Sequence, residues 1–403
     1  MKRIVFIFLL LTSVASAQTF PDDWGRSVLI VLKDSVIDAN QTDFTFPLVY
    51  NDTVRTLPSE MFDASSPNAS KNDGGDIRIT TDSAGTTQIA REIVEFDTVN
   101  NIAVVHIKKP SVTSSGDDSI WVWYDQATAT EPAEDATYGK EAVWSTYEMV
   151  LHLEEDGSGS APQFIDGTAQ DHDSYGYQLE SADQVAGKIG LGQGLDRISG
   201  AGNQEAIIDS VGLSANGKLF TIETWLFLRD GWGQSGIFSE NSVTNLWSGT
   251  GNSLNILLDL LTGSTGFRLY TTHDDAGHGS VTSGSKPDTI TWYHVVATAD
   301  DDSLILYVNG VGVDLDDISA RNGLNNDGKP VVLGQYQWVD NGDYTVYATM
   351  DEMRFSDITR DSDEVSALYK TQNNPAGFAI VGTPYDVPVA GAYQGSVIMI
   401  GGG

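Results

Sequence analysis

Three apolar stretches, residues 218–228, 291–299 and 303–310, constrain the fold more than any other part of the chain. The first has large apolar side chains on both of its alternating faces, including Trp225 on one face and Leu226 on the other. This pattern predicts a central strand that is covered on both sides. The third stretch ends in Asn-Gly, a pair that favours a tight hairpin turn because both turn residues need positive φ. Antiparallel strands, acidic turns and no long helix predict a β-sandwich.

The same stretches resemble the laminin-G-like jelly rolls of the concanavalin-A-like class. Residues 220–225 (Phe-Thr-Ile-Glu-Thr-Trp) are similar to the opening strand of that family, and residues 292–297 and 306–310 are similar to its central hairpin. Residues 350–356 resemble its closing strand, which is usually followed by a short helix ending in Leu-Tyr, here residues 368–369. The resemblance implies a C-terminal jelly-roll sandwich. It implies no single function, because this fold is found in lectins, glycosidases and adhesion modules.

The first part of the chain predicts a second, smaller β-sandwich. It has six or seven short apolar runs separated by polar turns, such as residues 27–32 and 119–124. It resembles an uncharacterised bacterial domain family that commonly precedes laminin-G-like jelly rolls. Trp-Gly-Arg at 24–26, residues 42–49 and Trp-Val-Trp-Tyr at 121–124 are among the segments that carry this resemblance. No activity is attached to the family, so the resemblance implies boundaries and little else.

These patterns predict an all-β protein in five parts. The parts are a signal peptide (1–17), an N-terminal β-sandwich (18–128), a linker (129–145), a laminin-G-like jelly roll (146–375) and a C-terminal tail (376–403). The linker is predicted from its small polar residues and its proline. The prolines and terminal glycines of the tail indicate a loosely held segment, or alternatively an edge strand added to a neighbouring molecule.

One clear helix signature lies between the jelly roll and the tail. Asp361 is a favourable N-cap, and Glu364 stands three residues later, as in a capping box. The spacing of Val365, Leu368 and Tyr369 predicts that this helix packs against the sandwich.

The N-terminus predicts export. Lys2 and Arg3 precede the apolar run 4–11, and Ala-Ser-Ala at 15–17 is typical of a signal peptidase site. The run is too short to span a bilayer, and no later segment is long enough. We therefore expect a secreted, cell-surface or periplasmic protein, cleaved near Ala17 and without a membrane span. An uncleaved anchor is the alternative.

Composition narrows the compartment and the partners. The chain has no cysteine, which for an exported protein of 403 residues suggests a bacterial or viral origin and a core large enough to need no disulfides. Its formal net charge of −34 opposes binding to a phosphate backbone, so we expect no nucleic-acid partner.

No enzyme motif is found. The Gly-x-Ser-x-Gly, His-Glu-x-x-His and glycosidase Glu-x-Asp-x-x-Glu spacings are absent. The six histidines are scattered, and His106 and His294 stand within apolar runs, which favours packed and hydrogen-bonded roles. We therefore expect a non-catalytic protein, with a glycoside hydrolase as the third alternative.

Acidic side chains in one loop of the jelly roll suggest a calcium site. Calcium takes six to eight oxygen ligands, and Asp340, Asn341 and Asp343 form the densest group of such donors. Laminin-G-like modules often hold one calcium ion at the rim of the sandwich, so the resemblance supports this loop. Asp351, in the closing strand, is a second candidate ligand. For each cluster the alternative is a solvated turn or a strand-edge hydrogen bond.

Aromatic residues in the loops of the jelly roll suggest carbohydrate binding. Sugars stack their apolar faces on aromatic rings while amides and carboxylates bind the hydroxyls. The candidate platforms are Trp232, Trp247, Tyr336 and Trp338, each of which could equally cover an edge of the core. We therefore expect an adhesion module that binds glycan or surface polysaccharide, assisted by calcium. The alternative is a structural component of a cell surface or virion that binds other proteins.

Overall fold

The computed structural model describes most of the chain outside its N-terminus and several jelly-roll connections. The described residues are 20–196, 206–209, 218–229, 235–241, 254–261, 265–273, 277–324, 330–335 and 345–387. The predicted signal peptide and the tail beyond residue 387 lie outside them. Within the described part of the chain, no helix is both long and apolar enough to cross a membrane.

The N-terminal domain is a small sandwich of two antiparallel sheets. Its strands are β1 (Arg26–Leu32), β2 (Gln41–Tyr50), β3 (Arg78–Thr80), β4 (Gln88–Ile89), β5 (Arg91–Asp97), β6 (Ile102–Val112) and β7 (Asp118–Tyr124), with 3₁₀ turns at Asp34–Val36 and Ser59–Phe62. One sheet has the order β1-β7-β3-β4 and the other the order β2-β6-β5. Apolar side chains that alternate along these strands, such as Phe46, Val105 and Val122, fill the space between them.

The C-terminal domain is the predicted jelly roll. Its strands are β8 (Met149–Leu151), β9 (Tyr175–Tyr177), β10 (Gln184–Ala186), β11 (Leu191–Leu195), β12 (Ala206–Asp209), β13 (Phe220–Leu228), β14 (Ser235–Asn241), β15 (Leu254–Leu261), β16 (Gly266–Thr272), β17 (His278–Thr282), β18 (Thr291–Ala299), β19 (Ser303–Val308), β20 (Val311–Asp317), β21 (Val331–Leu333) and β22 (Ala348–Ser356), with a 3₁₀ turn at Ser181–Asp183. One sheet has the order β10-β11-β22-β13-β18-β19-β20 with β8 also on β22, and the other has the order β17-β16-β15-β14-β21-β12-β9.

The central strand β13 is buried on both faces, which confirms the prediction from its sequence. Ile222 and Leu226 lie in the apolar core between the two sheets. On the outer face, Trp225 is stacked on Tyr369 and donates its indole N–H to Gln372, with an Nε1–Oε1 distance of 2.6 Å. The predicted helix therefore covers the outer face of this sheet.

Three helices complete the described structure: α1 (Lys140–Val143), α2 (Ser362–Asn373) and α3 (Pro375–Phe378). The Asp361 carboxylate caps α2 by accepting the amides of Asp363 and Glu364, as predicted. The predicted capping box is only half formed, because the Glu364 side chain pairs with the guanidinium of Arg360. Helix α2 is wedged between the domains: Val365 faces the jelly roll, and Leu368 belongs to the N-terminal core.

The predicted linker and the first part of the predicted tail are packed against the N-terminal domain. In the linker, Trp144 is fully buried and Glu131 pairs with Arg91 of β5. After α3, β23 (Ala379–Val381) and β24 (Tyr385–Asp386) both pair with β1. Unpaired backbone at the edge of β1 offers hydrogen bonds to an extended segment, and the buried Phe378 fixes that segment in place. The chain thus returns to its first domain after completing the second.

Replacing Phe378 should destabilise the N-terminal sandwich from the far end of the chain. Phe378 is fully buried against Phe46, with ring centroids 5.1 Å apart, so Phe378→Ala should lower the unfolding free energy by about 3–5 kcal/mol. Urea unfolding followed by tryptophan fluorescence measures this change. Ile380→Ala, two residues away and 44% exposed, is the matched control and should change it far less. Equal midpoints for the two variants would contradict this packing.

Candidate functional site

Buried charged and polar side chains form a continuous group between the two domains, which we call the interdomain network. Its members, all buried, are Glu92, His106, His152, Glu223, His294, Glu352, Arg354 and Gln372. Strand pairing explains why they meet. Glu92 of β5 lies opposite His106 of β6 in the N-terminal domain. Glu223 of β13 lies opposite Arg354 of β22 on the outer face of the jelly roll.

His152, which follows β8, connects the domains. Its Nδ1 lies 3.0 Å from Oε1 of Glu352 in the jelly roll, and its Nε2 lies 2.9 Å from Oε2 of Glu92 in the N-terminal domain. His106 also lies 3.2 Å from the same Glu352 oxygen. The Trp144 indole N–H donates to Glu92 from the connecting segment. One imidazole therefore has a carboxylate at each nitrogen, one from each domain.

Arg354 and Glu223 extend the network into the jelly roll. Arg354 Nη2 donates to Glu352 Oε2 at 2.6 Å, and its Nη1 donates to Glu223 Oε1 at 3.4 Å. The same Glu223 oxygen accepts from Gln372 of α2 at 2.7 Å and lies 3.0 Å from His294 Nε2. The outer face of the sheet, the N-terminal domain and α2 are thus held by one set of hydrogen bonds.

The network sets the protonation of its members. Burial alone would lower the pKa of His152, but Glu352 and Glu92 outweigh it and raise that pKa well above its ordinary value. Burial alone would raise the pKa of Glu352, but His152, Arg354 and His106 lower it well below its ordinary value. Burial opposes ionisation of Glu223 as well, and Arg354, His294 and Gln372 lower its pKa to about 2. The favoured arrangement is a buried imidazolium and a guanidinium among three carboxylates.

His106, His152 and Glu352 are close enough to share a metal ion, since their ligand atoms all lie within 4.8 Å of one another. The hydrogen bonds favour another state. His152 has an acceptor carboxylate at each nitrogen, so both nitrogens carry a proton in the imidazolium form. A metal ligand must instead be a deprotonated nitrogen. The hydrogen bonds thus account for His152 and Glu352 without a metal, while Nδ1 of His106 is buried without a hydrogen-bond partner.

A cavity of about 640 Å³ lies beside the network, and we call it the interdomain cavity. Residues from both domains and from the connecting segment line it. They are Asp73, Glu92, Ile93, Val94, Glu95, Glu131, Pro132, Glu134, Lys140, His152, Glu154, Glu155, Ile165, Gln184 and Leu191. Burial raises the pKa of Glu154 well above its ordinary value, with the nearby charges of Glu95 and Asp351 acting in the same direction. Burial also raises the pKa values of Glu155 and Glu95.

The predicted glycan and calcium residues, with one exception, lie outside the described residues. These are Trp232, Trp247, Tyr336, Trp338, Asp340, Asn341 and Asp343. The exception is Asp351, which is fully buried on β22 rather than at a rim loop. Its Oδ2 accepts the amides of Lys188 at 2.6 Å and Ile189 at 2.8 Å, while its Oδ1 has no hydrogen-bond partner. Asp351 therefore anchors the turn before β11, and its predicted role as a metal ligand stays a prediction.

Sequence reasoning missed the interdomain network as a unit. It placed His106 and His294 correctly as buried and hydrogen-bonded, but it named no role for Glu223, Glu352 or Arg354. The available signal was the presence of ionisable residues inside apolar strands, since a buried charge requires a partner. The identity of the partner could not be found this way, because His152 and Glu352 are 200 residues apart.

Comparison with known families confirms both resemblances. Residues 199–366 match the concanavalin A-like lectin/glucanases superfamily. Residues 73–143 match a domain of unknown function (DUF2341), and this match extends into the predicted linker, where the structure shows buried residues. No curated protein matches the chain. The superfamily match fits a binding role and does not specify the ligand.

Solved structures show a similar fold at low identity. One is domain 4 of AbnA, a GH43 extracellular arabinanase from Geobacillus stearothermophilus in complex with arabinotriose, at 15% identity and a TM-score of 0.40, covering 55% of this chain and 99% of that one. Another is the binding domain of Paraclostridial Mosquitocidal Protein 1, at 14% identity and a TM-score of 0.40, covering 56% of this chain and 52% of that one. A third is the binding domain of botulinum neurotoxin serotype G, at 14% identity and a TM-score of 0.37, covering 56% and 51%. The chain thus spans about half the length of the two toxin domains.

The low pKa of Glu223 predicts how stability depends on pH. A carboxylate with a folded-state pKa of about 2 and an ordinary value of 4.5 stabilises the folded state above pH 4.5, and this contribution is lost as pH falls towards 2. Glu223→Gln should therefore lower the unfolding free energy by roughly 3 kcal/mol at pH 7, and the difference from wild type should narrow between pH 4.5 and 2.

Urea titrations at a series of pH values test this prediction. Asp301→Asn, in an exposed turn, removes the same charge without touching the network and serves as the control. If the difference in unfolding free energy between wild type and Glu223→Gln stayed constant from pH 7 to pH 2, Glu223 would not be the ionised, network-bound carboxylate described here.

Proposed function

We propose that this is a secreted or cell-surface, non-catalytic binding protein whose jelly roll recognises carbohydrate at one end of the sandwich. The superfamily match supports a binding role, and the aromatic residues of the jelly-roll connections supply the chemistry for a glycan. The partner would be a glycan or surface polysaccharide. The N-terminal sandwich would serve as a platform fixed to the recognition domain.

The observation that carries the proposal is that two aromatic-bearing connections start from the same end of the jelly roll. Trp232 lies in the connection after β13, and Tyr336 and Trp338 lie in the connection after β21. The described residues that flank these connections touch: the Arg229 amide donates to the Tyr347 carbonyl at 3.1 Å. Thr345 forms bridges with both Gly236 and Gln335.

The connection that contains Trp247 starts from a different end of the sandwich. Its connection follows β14 at Asn241 and leads into β15 at Leu254, and these two residues are paired. The connection of Trp232 joins β14 at its other end, at Ser235. Trp232 and Trp338 therefore belong to one proposed site, and Trp247 provides an internal comparison.

Calcium is the proposed cofactor of the same end. Asp340, Asn341 and Asp343 lie in the connection of Trp338 and have the oxygen donors that calcium prefers. A calcium ion there would order the donors that contact sugar hydroxyls. Asp351 would offer a calcium ion only its Oδ1, because its Oδ2 already accepts two backbone amides.

The ion pairs and hydrogen bonds of Glu92, Glu223 and Glu352 support a structural role for these three carboxylates. Glycosidases need one carboxyl group that keeps a proton for the leaving group. In the sheet containing β13 and β22, the pKa values of both Glu223 and Glu352 are lowered, and Arg354 pairs with both. Glu92 at the interdomain cavity is likewise held by His152 and Trp144. These groups are structural anions rather than proton donors.

A glycan array, run with calcium and with chelator, tests the proposed site. Trp338→Ala and Trp232→Ala should each weaken binding by about fivefold or more, because loss of a stacking platform costs about 1 kcal/mol or more. Trp247→Ala is the matched control and should bind like wild type. Chelator should weaken wild-type binding.

Two outcomes would overturn the proposal. If the protein bound no glycan on the array, the alternative of a structural surface or virion component that binds other proteins would be favoured. Equal loss of binding in all three tryptophan variants would contradict a site at one end of the sandwich.

A further inference from the structure

The interdomain cavity has acidic side chains that neither the network nor the proposed glycan site uses. Its volume of about 640 Å³ is far larger than a single metal ion needs and falls in the range typical of sites for small organic ligands. Both domains contribute to its walls, so a ligand here would contact the two domains at once.

The cavity has more carboxylates than its own cations can neutralise. Seven acids line it, against Lys140 and His152. Four acids have an ionic partner, which is His152 for Glu92, Lys71 for Asp73, Arg91 for Glu131 and Lys140 for Glu134. Across the described ranges, Glu95, Glu154 and Glu155 form no ion pair.

Glu154 is the most confined of the three. It is only 9% exposed, and its buried Oε1 makes no hydrogen bond within the described structure. A Cβ atom on residue 190 would lie only 1.9 Å from Glu154 Oε1, so a side chain at this position would clash with the carboxylate. Gly190 also has a positive φ of +70°, which favours glycine. An ionised carboxylate that is buried without a partner is costly, so burial raises the pKa of Glu154 and favours its protonated form. A cationic group beside Glu154 would stabilise the ionised form.

Glu155 and Glu95 present further unpartnered oxygens. The amide of Ile165 donates to Glu155 Oε1 at 3.0 Å, which fixes the carboxylate and leaves Oε2 buried without a partner. The pairing of β5 with β6 shifts by one residue between Ile93 and Glu95, and such a bulge changes the direction of the side chains that follow it. Oε2 of Glu95 is likewise buried without a hydrogen-bond partner. The three carboxylates come from two domains.

The walls between the carboxylates indicate the class of ligand. Aliphatic side chains, including Ile93, Ile165 and Leu191, line the cavity together with the acids, and no Phe, Tyr or Trp is among the described lining residues. The three carboxylates are not among the described groups whose oxygens lie close enough to share one ion. Separated charges with aliphatic surface between them match ammonium groups joined by methylene chains.

We propose that the interdomain cavity binds an organic polycation of the diamine or polyamine class. Ammonium groups of the ligand pair with Glu154, Glu155 and Glu95, and its methylene segments lie against the aliphatic wall. The binding site is separate from the proposed glycan site and does not depend on it.

Isothermal titration calorimetry with spermidine, at 150 mM salt to screen non-specific attraction to this acidic chain, tests the proposal. Wild type should bind one equivalent, and Glu154→Gln should weaken binding by about tenfold or more, as expected for loss of a charge-assisted hydrogen bond. Glu95→Gln should weaken it in the same direction. Asp301→Asn removes the same charge from an exposed turn outside the cavity and should leave binding unchanged.

Three results would overturn the proposal. One is a Glu154→Gln variant that keeps its melting temperature and binds spermidine like wild type. Another is equal weakening in Glu154→Gln and Asp301→Asn, which would mean non-specific attraction. The third is that the wild-type cavity binds calcium and not spermidine, and that Glu154→Gln abolishes this calcium binding. The glycan and polyamine proposals can be tested separately, because Trp338→Ala changes only the proposed glycan site. This variant should bind spermidine like wild type whether or not it loses glycan binding.

Discussion

The ion pairs around His152 are the interaction on which the two-domain structure depends. A buried charge is stable only when it is paired and hydrogen-bonded, so each carboxylate of the network needs its partner from another element. His152 takes one carboxylate from each domain, and Arg354 continues the pairing to Glu223 beneath α2. Breaking such a pair leaves an uncompensated charge, which makes the relative placement of the domains specific.

This placement determines where ligands can bind. Helix α2 and the N-terminal domain cover the outer face of the sheet at β13 and β22. Two connections of the jelly roll start from adjacent described residues, Arg229 and Tyr347, and carry the aromatic residues of the proposed glycan site. The space left between the domains is the acidic interdomain cavity.

Much of the fold could be predicted from the sequence because local patterns determine it. The alternation in β13, the hairpin turn at Asn309 and the cap at Asp361 each depend on residues close together in the chain. The return of the chain to the first domain could not be predicted this way. Pairing of Ala379 with Leu32 depends on the free edge of a sheet that forms more than 300 residues earlier. Glu154 and Glu95 likewise meet only because the domains dock, whereas the aromatic candidates followed from their residue type and loop position.

The central claim is that the interdomain network joins the two sandwiches into one cooperative unit. Differential scanning calorimetry of the protein at neutral pH tests it most directly, by comparing the calorimetric and van't Hoff enthalpies of unfolding. The network predicts one transition with equal enthalpies in wild type and two separated transitions in Glu352→Gln. Two independent transitions already present in wild type would contradict it.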